Sequence, residues 1–310
     1  MRWEERNQKR MNYHSPVLLK ETVDGLNIKK DGVYVDVTFG GGGHSKEILK
    51  RLGSDGKLYA FDQDEDAMKN ALNDERFTLI NENFRYITQF LKFYGIREID
   101  GILADFGVSS HQFDKAERGF STRFDANLDM RMSKKNSVSA YEIVNTYSYE
   151  ALRKVFFEYG DLRNANALAK TIVEQREEMP IKTTEELKKV LQRFLPNFKE
   201  RKILAQIYQA IRIEVNQEIQ VIKEFLLQTS KLLNEGGRIS VLSYHSLEDR
   251  LVKRFIREGQ FEGEAEKDFY GNISVPFKKV GRLIVPSKEE IKKNNRARSA
   301  KLRIAERISH

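Results

Sequence analysis

The stretch "YVDVTFGGGGHSKEIL", Tyr34 to Leu49, places four consecutive glycines between a run of β-formers and a segment with helical spacing. A strand, a glycine turn and a helix in that order belong to an α/β chain, and the turn is where such a chain brings its backbone close to a ligand. The flanking pattern agrees. "VYVDVTF" (Val33–Phe39), "KLYAFD" (Lys57–Asp62), "FTLINE" (Phe77–Glu82) and "IDGILADF" (Ile99–Phe106) read as strands. Helical patterns over Ser45–Leu52, Glu65–Leu72 and about Tyr86–Tyr94 separate them. Strands alternating with short helices predict a parallel sheet joined by right-handed crossovers.

That rhythm stops near His111. From there to Asn216 the patterns are helical, with no comparable strand. Tyr149–Glu177 reads as two helices broken near Gly160. Thr183–Leu195 begins with a cap at Thr183 or Thr184 and carries Leu187, Val190, Leu191 and Phe194 on one stripe. Apolar residues recur every three or four positions from about Ile203 to Leu233 and predict one long amphipathic helix. The sheet pattern resumes at Gly237–Ser246, followed by a helix over Leu247–Glu258, a loop-like stretch and a last strand within Ser299–Ile308. The expected fold class is therefore α/β, a doubly wound Rossmann-like domain formed by residues 11–110 plus 217–310. An all-helical domain, residues 111–216, is inserted into it. Residues 1–10 are charged, precede no apolar segment, and read as a tail rather than a signal peptide, with Met11 as a second start.

Composition narrows the chemistry. The 310 residues contain no cysteine, which excludes disulfides, thiolate metal sites and a cysteine nucleophile and fits a reducing compartment. The five histidines (His14, His44, His111, His245, His310) have no metal-ligand spacing, so no metal site is expected. No apolar run approaches the roughly 20 residues of a membrane span, so no membrane partner is expected. A formal net charge of +8 favours a polyanionic partner such as nucleic acid, against the plainer reading of solubility alone.

The glycine loop admits some ligands and rejects others. A P-loop needs Gly-Lys-Ser/Thr at its end, and this loop ends Gly43-His44-Ser45 with the first lysine at Lys46. Asp105-Phe106-Gly107 spells a kinase triplet, but the strand lysine and the His-Arg-Asp motif of a kinase are missing. A dinucleotide site wants Gly-x-Gly-x-x-Gly, and Ser45 holds the third glycine position. Asp62 ends the second strand 20 residues after Gly42, where an acid would hold a ribose. S-adenosylmethionine (SAM) sites use an acid in the first strand and glycines at alternate positions after it, and Asp36, Gly40 and Gly42 have that spacing. SAM, a dinucleotide and a purely structural glycine loop all stay open on these residues.

The chain as a whole resembles the bacterial SAM-dependent small-subunit rRNA (cytosine-N4)-methyltransferases, the RsmH or MraW family. The resemblance is carried in order by "YHSPVLLKETVDGL" (Tyr13–Leu26), "DVTFGGGGHSKEIL" (Asp36–Leu49) and "DGILADFGVSSHQFDKAERGFSTRFDANLDMRM" (Asp100–Met132). "IYQAIRIEVNQEI" (Ile207–Ile219), "GGRISVLSYHSLEDRLVKRF" (Gly236–Phe255) and "NNRARSAKLRIAER" (Asn295–Arg307) continue it. Departures from the commoner family pattern are His111 for proline, Phe106 for leucine, and Tyr208 and Tyr244 for phenylalanine. Gly160–Ile172 also replaces a more charged segment, which weakens any substrate contact assigned there.

The resemblance implies a class I methyltransferase domain binding SAM, with S-adenosylhomocysteine as product and 16S rRNA of the small ribosomal subunit as partner, in the cytoplasm. Carried over by position, Gly42, Gly43 and His44 lie under SAM, Asp62 holds the ribose, Phe84 approaches the adenine, and Asp105 and Gln112 complete the cofactor set. The plain alternatives are a solvent-facing helix start for His44 and a core role for Phe84. The implied reaction places a methyl on a cytosine exocyclic amine, whose lone pair is delocalised into the ring. No Asp/Asn-Pro-Pro-aromatic turn follows strand four, so the proton acceptor stays unassigned. Asp105 and His245 are the positional candidates, and His245 serves equally as a structural residue of its turn. The insertion is expected as an RNA-facing platform opposite the cofactor cleft, with Arg118–Met132 supplying arginines for phosphates and aromatics for bases. Lys292, Lys293, Arg296, Arg298, Lys301 and Arg303 are expected phosphate contacts or a solvated edge. Two rival functions remain: a DNA amino-methyltransferase, and a Rossmann-like module that binds ribosomes without catalysis. The sequence sets no oligomeric state.

Overall fold

The computed structural model describes residues 16–263 and 275–309. The tail at 1–10, Met11, His14, His310 and the first three residues of the Tyr13–Leu26 stretch lie outside the described residues. The described chain divides into two compact units, one running to Gly107 and resuming at Gln220, the other Val108–Ile219.

In the first unit seven strands form one sheet. They are β1 (Val33–Asp36), β2 (Lys57–Phe61), β3 (Phe77–Ile80), β4 (Ile99–Asp105), β5 (Leu233–Ser243), β6 (Phe277–Ile284) and β7 (Lys301–Arg307). Their order is β3-β2-β1-β4-β5-β7-β6. The first five pair in parallel, and β7 and β6 close the edge antiparallel. β1 and β4 carry the apolar runs Val33–Val35 and Gly101–Ala104, because both faces of a parallel sheet are covered. The core layers hold Val35, Val37, Phe61, Ile102 and Ile239 on one side, and Tyr34, Ile48, Leu58 and Leu103 on the other. The helices α1 (Leu19–Gly25), α2 (Gly43–Arg51), α3 (Ile87–Phe93), α10 (Glu218–Leu232), α11 (Ser246–Glu258) and α12 (Lys288–Lys293) accompany the sheet. β2 and β4 flank β1 on opposite sides, so the direction of winding reverses between β1 and β4. An open α/β sheet forms its ligand crevice beyond the carboxyl ends of the strands at such a point.

The second unit carries α4 (Ser110–Asp114), α5 (Ala140–Thr146), α6 (Tyr149–Glu158), α7 (Ala165–Glu178), α8 (Thr184–Leu191) and α9 (Glu200–Val215). They surround their own apolar core, including Leu128, Ile143, Phe156, Leu168, Leu187 and Ile207. Thr183 caps α8 in a reciprocal box with Glu186.

Several expectations need correcting. The strand expected to Phe39 ends at Asp36, although Val37 N and Phe39 N still donate to Leu103 O and Phe61 O at 2.9 and 3.0 Å. Glu65–Leu72 is not an α-helix but a 3-10 segment, Glu65–Asn70, started by Asp64 and ended by an extended Ala71. The long helix from Ile203 is two, α9 and α10, broken where Gln217 turns left-handed with φ 51°. β5 starts at Leu233, earlier than Gly237. The loop-like C-terminal stretch contains β6, an edge strand whose exposed Lys278, Lys279 and Arg282 hide any alternation. Such charges also discourage pairing with a further strand.

Candidate active site

The glycine turn is shaped by its neighbours. Gly40 and Gly42 have φ of 51° and 74°, the left-handed region that costs a side-chain-bearing residue. A Cβ on Gly43 would lie 2.2 Å from Pro16 Cγ, so this position needs glycine for space rather than for dihedral freedom. The helix α2 then begins at Gly43 with no side chain capping it. Its first backbone N–H groups lack intrahelical acceptors by geometry and favour negative charge.

Three carboxylates surround this turn. Asp36, at the end of β1, is fully buried. It accepts from Ser45 Oγ at 2.7 Å and Thr38 N at 3.1 Å. Burial pushes its carboxyl up to about 6, against those hydrogen bonds. Asp62, just past β2, accepts from Gly40 N at 2.7 Å and Asp64 N at 2.9 Å. Burial raises it to about 6 as well, with Asp64 and Asp36 adding repulsion. Asp105 ends β4, held by its own N–H donating to Thr38 Oγ1 at 2.7 Å. Burial, reinforced by the charges of Asp36 and Glu248, pushes it up to about 7. Among the described residues no lysine or arginine forms an ion pair with any of the three. The nearest partner is His44, whose Nδ1 stands 3.9 Å from Asp105 Oδ2.

His44 is not the solvent-facing residue that its sequence position allowed. It is 5% exposed, and burial lowers its imidazole to about 4, so the ring is neutral near pH 7. Its Nε2 is buried without a hydrogen-bond partner. Phe84 sits half-buried after β3, stacked on Phe106 at 6.0 Å and edge-on to Phe225 at 5.2 Å, so an aromatic wall borders the same strand ends.

Residues 11–308 match the MraW methylase family. The chain belongs to that family. It is 72% identical to the Ribosomal RNA small subunit methyltransferase H of Flavobacterium johnsoniae over 298 residues, 96% of this chain and 99% of that protein. The protein of the same name from Christiangramia forsetii is 70% identical, with 96% and 99% covered. That from Cytophaga hutchinsonii is 56% identical, with 95% and 99% covered.

Of the sequence-derived positions, Gly42, Gly43, His44, Asp62, Phe84 and Asp105 all lie at the carboxyl ends of β1 to β4. Gln112 lies in the helical unit, where it is buried and completes the capping box of α4 with Ser109. His245 is the cap of α11. Its Nδ1 accepts from the backbone N–H of Glu248 at 3.4 Å and its Nε2 lies 2.9 Å from Glu248 Oε1, so both ring nitrogens are turned to Glu248, one to its backbone and one to its carboxylate. That is the structural role the turn allowed, and it leaves His245 poorly placed as a proton acceptor.

The expected RNA contacts are thinned in the same way. Arg118 is buried, donating to the carbonyls of Arg131 and Met132. Arg131 grips Asp129 through Nε at 2.8 Å and Nη2 at 3.0 Å. Within that stretch Arg123 and Phe124 are the exposed arginine and aromatic. Lys301 and Arg303 are tied to Asp249 at 3.2 and 2.7 Å, while Lys292, Lys293 and Arg298 are exposed.

Sequence reasoning missed Asn70, Thr38 and Tyr244 at the site. Asn70 Nδ2 donates to Gly40 O at 3.0 Å and holds the turn. Tyr244 donates its hydroxyl to Asp105 Oδ1 at 2.8 Å across 139 residues. The one available signal was that Tyr244 stands where phenylalanine is usual in the resembling family.

Proposed function

We propose that this chain is a SAM-dependent methyltransferase that places a methyl group on the N4 amine of a cytosine in 16S rRNA of the small ribosomal subunit. The observation that carries the reading is family membership over residues 11–308, with relatives at 70% identity or more that bear the small-subunit rRNA methyltransferase name.

The crevice residues fit SAM. An uncapped helix start suits its methionine carboxylate, and carboxylates without basic partners suit its cationic end. A dinucleotide would bring a pyrophosphate next to Asp36, Asp62 and Asp105, which argues against that alternative. Gly42, Gly43 and His44 line the methionine and adenosine, Asp62 accepts from the ribose hydroxyls through lone pairs left over from Gly40 and Asp64, and Phe84 packs near the adenine. SAM supplies an electrophilic methyl on a sulfonium. The protein's share is orientation of the amine and acceptance of its proton. Asp105 is the group assigned that acceptance: its raised affinity for a proton brings it near neutrality, where a base works best. Gln112 completes the cofactor set by family position. The helical unit, residues 108–219, provides RNA recognition, with Arg123 and Phe124 as its exposed contacts. Lys292, Lys293 and Arg298 add phosphate contacts. No described helix is long and apolar enough to cross a membrane. A ribosomal RNA substrate supports a cytoplasmic location.

Tritium transfer from SAM tests the substrate. Small subunits lacking the mark should become labelled at one cytosine, and naked duplex DNA should not; efficient labelling of DNA alone would move the assignment to a DNA amino-methyltransferase. Calorimetry with S-adenosylhomocysteine tests the cofactor, since absence of binding would favour a non-catalytic ribosome-binding module.

A further inference from the structure

We propose that Tyr244 is a positioning residue for Asp105: its hydroxyl occupies Oδ1 and holds the carboxylate in the orientation and charge state that SAM meets. The inference rests on the reading of Asp105 as part of the SAM site.

The geometry is specific. Tyr244 follows β5, and β5 pairs with β4 so that Asp105 lies beside Leu242. The phenol reaches back to Asp105 Oδ1 at 2.8 Å, while the backbone N–H of Tyr244 is fixed by Glu248 Oε2 at 2.7 Å. With Oδ1 engaged, Oδ2 is the oxygen that faces His44 Nδ1 at 3.9 Å. The titratable groups around Asp105 are His44 at the start of α2, Asp36 at the end of β1, Glu248 on α11 and Tyr244 itself, with Glu290 of α12 acting on Tyr244. Asp36 and Glu248 both oppose ionisation of Asp105, and a neutral His44 supplies no counter-charge. The Tyr244 hydroxyl is therefore the side-chain donor that favours the anion. Its own ionisation is pushed well above the usual tyrosine range by burial, then by Asp105, so it stays a donor.

Tyr244→Phe removes one oxygen and keeps the ring and its packing with the apolar cluster of Leu242 and Leu302. A hydrogen bond to a charged group is worth at least about one pKa unit. Moving Asp105 from about 7 upward by that much predicts two opposite pH patterns. Affinity for SAM should fall by up to roughly ninefold near pH 6, where the wild type keeps more of the anion, and by only about 1.1-fold near pH 9. Without ligand, the unfolding constant should rise roughly ninefold near pH 9 and stay level near pH 5, because only the ionised form has lost its partner. In an Asp105→Asn background both pH dependences of Tyr244→Phe should vanish.

A Tyr244→Phe effect of equal size at every pH, or no effect, would overturn the inference. If the wild type binds neither SAM nor S-adenosylhomocysteine at any pH, the cofactor reading fails. The ligand-free unfolding profile then still decides whether Tyr244 sets the charge of Asp105.

Discussion

Asp62→Asn should stabilise the ligand-free protein at high pH and destabilise it at low pH. The carboxyl of Asp62 is raised from 3.8 to about 6. A folded-state value above the unfolded one means that the native state binds more protons between the two, so its stability falls as pH rises through that window. Above about pH 7 the ionised, desolvated Asp62 therefore costs roughly 3 kcal/mol, two pKa units at 1.36 kcal/mol each. Asparagine removes that cost. It also has one acceptor oxygen for two donors, Gly40 N and Asp64 N, and leaving one backbone N–H unpaired costs about 1–2 kcal/mol. The balance is a gain of about 1–2 kcal/mol near pH 8 and a loss of similar size near pH 4, where aspartic acid is already neutral. For a cooperative unit of this size each kcal/mol moves Tm by about 2–4 °C. Calorimetric melts at the two pH values read the crossover directly. The same variant should bind S-adenosylhomocysteine roughly 10–100-fold more weakly, because a donor replaces one acceptor for the ribose. An equal loss of stability at both pH values would refute the desolvation argument. Unchanged affinity would refute the ribose assignment while leaving the stability result standing.

Gly43→Ala should cost about 1–3 kcal/mol in Tm-derived stability and weaken cofactor binding, because its Cβ would lie 2.2 Å from the Pro16 ring; an unchanged melt would show that Pro16 moves aside freely. Lys292→Glu combined with Lys293→Glu should raise KM for small subunits and flatten its salt dependence without changing Tm, whereas Arg303→Met, which abandons Asp249, should lower Tm; the reverse pattern would exchange their roles. Binding of SAM near pH 6.5 should release protons, since Asp36, Asp62 and Asp105 are partly protonated there and a cation favours their ionised forms. Calorimetry in two buffers of different ionisation enthalpy measures the release, and S-adenosylhomocysteine, without the sulfonium, should release fewer.

Legibility in the sequence followed the range of the interaction. β1, β2 and β4 were readable because burial on both faces leaves an apolar run, and the alternation with helices gave the parallel order. β6 was unreadable because its exposed Lys278, Lys279 and Arg282 look like a loop, and only pairing with β7 makes it a strand. The break before α10 was unreadable because no glycine or proline marks it; Gln217 itself takes the left-handed turn. At the site, Asp62 was legible from its spacing to Gly42, since both lie within one strand–helix–strand unit. The Tyr244–Asp105 bond was not, because it joins residues 139 apart. Lys301 and Arg303 looked like solvated cations for the same reason: their partner Asp249 lies in the first turn of α11, 52 and 54 residues away.

The charge balance of the crevice explains why such residues are placed there. A site selected for stability alone would pair Asp36, Asp62 and Asp105 with lysine or arginine, or would replace them. Instead they share the ends of three strands with a neutral His44 and a tyrosine, and burial raises all three. In its ionised form the fully buried Asp36 then costs on the order of 3 kcal/mol, and the half-buried Asp62 and Asp105 at most about 3–4 kcal/mol, since water reaches part of each. A desolvated carboxylate without a cation is a poor structural element but a prepared receptor for one, because its interaction with an arriving charge is not diluted by water. The chain is basic overall, at +8, so the missing counter-charges reflect placement rather than supply. Its lysines and arginines sit elsewhere: Arg303 and Lys301 on Asp249, Arg131 on Asp129, and Lys292 and Lys293 toward solvent. The partition leaves the basic side chains paired or at the surface and three carboxylates without a basic partner at the strand ends, a charge pattern that suits a cationic ligand in the crevice.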